Sequence, residues 1–164
     1  MQLLIIRHGI AEEAAPGGDD SRRSLTRVGQ EKMKNVAAGL QTIVETLDVI
    51  GASPLLRAQQ TAEIVADAYG DLRVDTVDAL SPGNEPSAVV DWLGRHESAK
   101  VVAIVGHEPH LGMLVTWFMT GAQNSRVELS KGGAALLEFS SRPSARSAIL
   151  QWLLTGSQLR HIGK

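Results

Sequence analysis

Cysteine is absent from the 164 residues, which excludes disulfide bonds, thiolate metal centres and cysteine nucleophiles and fits a cytoplasmic protein. Neither sign of charge is in excess: 16 basic and 18 acidic side chains leave a formal net charge of −2, and the basic ones are scattered. Such a distribution offers no electrostatic footprint for nucleic acid or an anionic membrane, so neither is expected as a partner. Long apolar runs are missing too. The N-terminal one covers only Leu3 to Ile6 with no basic segment before it, so it reads as neither a signal peptide nor a membrane span and should stay in the folded protein. No internal repeat is evident. With 43% apolar residues, the chain suits one domain over residues 1–164 that buries roughly 70% of the surface exposed when unfolded.

What the sequence does contain is organised around its first residues. Leu3, Leu4, Ile5 and Ile6 form a continuously apolar, partly β-branched run, the pattern of a strand buried on both faces. Arg7 and His8 follow at once, at the carboxyl end where open α/β sheets place their ligand crevices, and Gly9 permits a sharp turn. Taken singly, the pair also reads as a surface charge and a satisfied core histidine. The small, polar, aperiodic stretch from residue 10 to 25 is too long for a tight turn and is expected to be a lid over that site. Thr26 looks like an N-cap, and Val28, Val36, Ala37, Leu40 and Val44 recur at helical spacing to about Thr46, with Gly29 and Gly39 weakening the helix.

Asp48–Ala52 reads as a second strand. Ser53-Pro54 then reads as an N-cap with proline in the first turn, opening a helix that stops at Gly70. Arg57 lies in its first turn and off the apolar stripe, a poor place for helix stability but a good one for holding an anion; first-turn arginines are also often merely solvated. Val74–Leu80 is expected to hold a third strand, and a helix should run from Pro86 to Arg95. Val101–Val105 repeats the buried-strand pattern and again ends in glycine and histidine, Gly106-His107. A largely buried helix follows. Ala134–Phe139 and Ala148–Leu154 suggest two edge strands in a hairpin, whereas the tail from Gln158 carries no legible signal.

Strands alternating with helices imply a three-layer α/β/α sandwich with a largely parallel central sheet. Arg7, His8, Arg57 and His107 each stand where a strand gives way to a loop or helix, and would converge if the strands are neighbours. Two arginines and two histidines around helix N-termini make a pocket for a dianionic phosphoryl group, because a guanidinium fork matches phosphate oxygens. Zinc is a poorer reading of His107-Glu108-Pro109-His110, since metalloprotease histidines stand at i and i+4 rather than i and i+3. No cofactor is expected. A non-catalytic phosphate-binding module stays open.

At the level of motifs the chain resembles the histidine phosphatase superfamily, whose fold is phosphoglycerate mutase-like, and is most similar to its SixA-type phosphohistidine phosphatases. The resemblance rests on Arg7-His8-Gly9, LTRVG at Leu25–Gly29, SPLLRAQQTA at Ser53–Ala62 and GHEPHLG at Gly106–Gly112. It implies that His8 takes the phosphoryl group, that Arg7 and Arg57 hold its oxygens, and that His107 contacts it from the other side without a metal. The implied partner is a phosphohistidine-bearing signalling or phosphocarrier protein, the protein itself being a monomer. The alternative within the family is a small-molecule phosphomonoester phosphatase or mutase, which needs a proton donor for its leaving oxygen. Many such enzymes carry a glutamate two residues beyond a leucine after the third strand; here that leucine is Leu80 and the position holds Pro82. Asp20, Glu85 and Glu108 are the carboxylates that could serve as lid or acid instead.

Overall fold

The computed structural model describes residues 1–164. Eleven elements follow in chain order: β1 (Gln2–Arg7), α1 (Arg27–Ile43), β2 (Val49–Ala52), α2 (Leu56–Ala68), β3 (Val74–Thr76), α3 (Ser87–Gly94), β4 (Val101–Gly106), α4 (His110–Thr120), β5 (Ala134–Phe139), β6 (Ala148–Leu154) and α5 (Gly156–Ile162). The strands form one six-stranded sheet of order β3-β2-β4-β1-β5-β6. From β3 to β1 every pairing is parallel, and β5 runs antiparallel to both β1 and β6. No helix is long and apolar enough to cross a membrane.

The α/β/α sandwich read from the sequence is the one observed, and β1 shows why. Its side chains alternate between two cores: Leu4 and Ile6 pack with α1, α2 and α5, while Leu3 and Ile5 pack with α3 and α4. A strand covered on both faces has no place for a polar residue, hence the unbroken apolar run. On β4, Ala103 and Val105 join the first core and Val102 and Ile104 the second.

Local expectations needed adjustment in five places. Only Val74–Thr76 is strand in the third-strand region; a 3-10 turn over Asp78–Leu80 then folds Val77 and Leu80 into the core. β5 is internal, so only β6 of the expected edge hairpin is an edge strand. Val28 is exposed, and Met33 supplies the core contact instead. The tail is helical, because Thr155 and Gln158 close a capping box and Leu159 is buried. Finally α2 starts at Leu56, not directly after Ser53. By contrast the expected cap on α1 is present, the Thr26 hydroxyl accepting from Gly29 N at 2.8 Å.

Gly39 illustrates packing that overrides propensity. A Cβ there would stand 2.0 Å from the carbonyl oxygen of Leu159 on α5, so α1 and α5 meet backbone to backbone. Alanine would favour the isolated helix by about 1 kcal/mol, but the overlap is with main chain that cannot swing aside. Gly39→Ala should therefore lower stability by about 1–3 kcal/mol net, read as a lower urea midpoint; a stabilised variant would show that the two helices can separate without cost.

Candidate active site

The carboxyl ends of three adjacent strands are brought level by their register. Arg7 of β1 is opposite Gly106 of β4, and Ala52 of β2 is opposite Val105. The next residue of each chain leaves the sheet at the same edge, and these residues are His8, Ser53 and His107. Pairing still holds them there: His8 N donates to Gly106 O at 3.1 Å and Ser53 N to Val105 O at 3.0 Å. The His8 and His107 rings stand 5.1 Å apart, tilted by 52°.

Both rings are buried, and burial sets their charge. It lowers the pKa of His8 to about 4; the carbonyl of Gly9 opposes this, and Arg57 and Arg7 reinforce it. His107 is pushed down to about 3, again chiefly by burial, with His8 and Arg57 adding to it. Both rings are thus neutral at pH 7. The tautomer of His8 follows from its partner, since Nδ1 lies 2.7 Å from Gly9 O and a carbonyl can only accept. The proton is assigned to Nδ1, leaving the lone pair on Nε2.

Arg57 occupies the second position of α2, and despite its charge it is only 4% exposed. Its two terminal nitrogens donate to Asp20 O at 2.9 Å and Asp20 Oδ2 at 3.1 Å. Asp20 is thereby the contact through which the 10–25 segment lies over the site. Partial burial raises its pKa, but Arg57 and Arg23 outweigh that and hold the carboxyl below its ordinary value. The segment is further held by Gln60, whose Oε1 accepts from Leu25 N at 2.7 Å, and by a bridge between Ala11 and Leu25.

Arg7 is braced from the other side by the segment before β5. Its NH1 donates to Leu129 O at 2.6 Å, and Leu129 N in turn donates to Glu108 Oε1 at 3.3 Å. Glu108 therefore acts on Arg7 through Leu129. Burial raises the Glu108 pKa, against the pull of that N–H and of Arg7. Glu85 is not brought to the group: it is exposed and accepts from Gln123 at 2.7 Å.

Two residues of the site escaped the sequence reading. Ser53 resembles a helix cap, yet its hydroxyl lies 2.7 Å from His107 Nε2 and the helix begins only after Leu55. Its weaker 3.4 Å contact from Leu55 N is all that remains of a turn. Thr61 is buried, donates to Arg57 O at 2.7 Å and accepts from Gly9 N at 3.1 Å, so it ties the arginine's turn to the residue after His8. A threonine four residues after the arginine, and so on the same side of the helix, was the available signal. Arg7 Nε, Arg57 Nε and His107 Nδ1 are buried with no partner in the protein, so three of the four residues keep polar capacity for a ligand. The arrangement suits an anion with several oxygens, facing an imidazole lone pair.

Comparison with known proteins agrees with this geometry. Residues 3–81 match the family model described as histidine phosphatase superfamily (branch 1). The chain is 31% identical over 124 residues to the phosphohistidine phosphatase SixA of Escherichia coli K12, covering 74% of this chain and 76% of that one. It is 32% identical over 126 residues to a SixA homolog of Haemophilus influenzae, covering 70% and 75%. Among solved structures, the protein histidine phosphatase SixA complexed with tungstate superimposes with a TM-score of 0.84 at 25% identity, covering 97% of this chain and 99% of the other. The α-ribazole phosphatase of Shigella flexneri shares the fold, with a TM-score of 0.76 at 18% identity and coverage of 95% and 97%.

The buried rings predict a measurable acid response. Unfolded histidines take up protons from about pH 6.5 downwards, whereas the native rings wait until about 4 and about 3. Between those limits the unfolded state binds more protons, so stability is full above pH 6.5 and falls as pH drops towards 4. Ring chemical shifts should accordingly show both imidazoles still neutral at pH 5.5; midpoints near 6.5 would contradict their burial.

Proposed function

The chain belongs to the histidine phosphatase superfamily, in its SixA-type branch, and from that premise we propose that it is a phosphohistidine phosphatase, moving the phosphoryl group from N-phosphorylated histidine on a protein to His8 and then to water. Its likeness to the SixA phosphatases supports a phosphatase of the hydrolase class. The observation that supports transfer through His8 is the ring itself: Nδ1 is engaged by Gly9 O and Nε2 is left with its lone pair, beside His107 and within the field of Arg57 and Arg7.

In the first step His8 Nε2 bonds to phosphorus while the bond from phosphorus to the substrate imidazole breaks. The electron pair stays on that departing nitrogen, which leaves as neutral imidazole if the substrate ring is already protonated. In the second, a water oxygen attacks phosphorus, the Nε2–P bond breaks, and inorganic phosphate and neutral His8 result. Phosphoryl transfer demands mainly positioning and neutralisation of charge, and Arg7 and Arg57 supply both. His107, neutral and hydrogen-bonded to Ser53, contributes a hydrogen-bonding edge rather than a charge. Asp20 occupies the terminal nitrogens of Arg57, so an incoming phosphoryl oxygen has to displace or share them.

The leaving group decides the substrate class. A serine or sugar oxygen leaves poorly without a proton donor, a contribution worth about 10² to 10⁴ in rate. Pro82 cannot donate a proton, Glu85 is exposed and engaged with Gln123, and Asp20 is held ionised by Arg57 and Arg23, which leaves Glu108, its pKa raised by burial, as the one carboxyl able to serve. This scarcity of donors favours a leaving imidazole. Phosphohistidine peptide should be preferred over phosphoserine peptide by at least about a hundredfold in kcat/KM; comparable rates would favour the phosphomonoesterase.

Rapid quench during turnover should trap an acid-labile, alkali-stable phosphoryl label on His8, and a label on serine would refute the mechanism. Arg57→Ala should reduce turnover by about 10² to 10³, the usual cost of one lost electrostatic donor, while Arg22→Ala should change it little. EDTA should leave the rate unaltered, because every role above is filled by a side chain.

A further inference from the structure

Behind Gly9, on the α1 and α5 side of the molecule, lies a cavity of about 280 Å³ lined by glycine backbone, three apolar side chains and three charged ones. The charged ones are cations from three separate parts of the chain: Lys32 on α1, Lys131 before β5 and Arg160 on α5. No acidic residue lines the cavity, and none of the three cations forms an ion pair. In a chain of net charge −2, three uncompensated positive charges around one hollow are not the average surface. They repel one another unless an anion stands between them. The remaining lining is apolar side chain, Ile10, Met33 and Val36, together with glycine backbone.

We propose that this cavity is a second anion-binding site, separate from the crevice of His8 and His107, and that it takes a small phosphorylated molecule with a short apolar body. The volume is just below the usual range for ligand pockets, about 300–1,000 Å³, so the occupant is small. A compact tetrahedral dianion can face three cations at once, which a single carboxylate cannot, and the apolar wall receives what the phosphoryl group is attached to. None of Arg7, His8, Arg57 and His107 lines the cavity, although Lys131 is close enough for its charge to act on His8. The backbone joins the two as well. Gly132 N donates to the carbonyl oxygens of both Arg7 and His8, each at 3.2 Å, and a ligand here therefore rests on the backbone that carries the nucleophile.

Phenylphosphonate, a non-hydrolysable dianion with an apolar ring, tests this in calorimetric and amide-NMR titrations of the whole protein. The wild type should show two classes of site, one of them shifting the amides of Gly9, Ile10, Lys131 and Gly132. In the surface variant Lys32→Gln/Arg160→Gln that class should weaken at least tenfold, while the second class and phosphatase turnover stay within twofold. Arg57→Ala should do the reverse. Succinate, with its two charges on separate carboxylates, should bind the variant-sensitive class at least fivefold more weakly than phenylphosphonate. A single class abolished by Arg57→Ala, or two classes that both keep their affinities in Lys32→Gln/Arg160→Gln, would overturn the proposal; equal affinity for succinate would overturn its phosphoryl specificity.

Discussion

The parallel register of β2, β4 and β1 is the constraint from which the chemistry descends. Because β4 is inserted between β1 and β2, which precede it by about 100 and about 50 residues, the residues after Ala52, Gly106 and Arg7 leave the sheet side by side. A slip of β4 by one residue would turn its side chains to the opposite core and put Gly106, which has no side chain, beside His8. The two cores on either face of the sheet forbid that slip, so the packing that stabilises the fold also sets the 5.1 Å between the two imidazole rings.

Around that fixed centre the charges are held from opposite sides by backbone rather than by carboxylate pairs alone. Arg7 leans on Leu129 O and Arg57 on Asp20 O. A carbonyl partner orients a guanidinium without cancelling its charge, so both arginines keep their attraction for an anion. Each arginine also has one exposed carboxylate, Glu128 at 4.0 Å from Arg7 and Asp20 at 3.1 Å from Arg57; at the mouth of an anion site the nearer one, Asp20, is a built-in competitor. Burial meanwhile keeps the two histidines neutral, which suits a nucleophile that must present a lone pair.

How far the sequence discloses this depends on the range of the cause. β1 and β4 are legible because a strand covered on both faces admits only apolar residues, and Arg7, His8 and His107 are legible because they interrupt that rule at the strand ends. Arg57 stands out as a cation at the wrong end of a helix. Ser53 is not legible in its true role, because a serine before proline has the same local pattern whether it caps a helix or reaches a histidine 54 residues away. The shortness of β3 and the helical tail are hidden for a similar reason: Leu80 and Leu159 are fixed by partners distant in sequence. Asp20 could be suspected as a loop carboxylate, but its pairing with Arg57 belongs to tertiary structure alone.

The central place of β1 in the sheet also bears on how the chain is made. β1 is synthesised well before its partners: it pairs with β4, about 100 residues later, and with β5, about 130 residues later. Until those segments are synthesised, one of the most apolar stretches of the protein has no sheet to join. Domains tend to fold as units during synthesis, and transiently unpaired strands are the species that aggregate. The helices α1 and α2 are available earlier and can cover one face of β1 in the interval. The edge that carries His8, Ser53 and His107 can form once β4 is made, whereas closure of the sheet waits for β5 and β6.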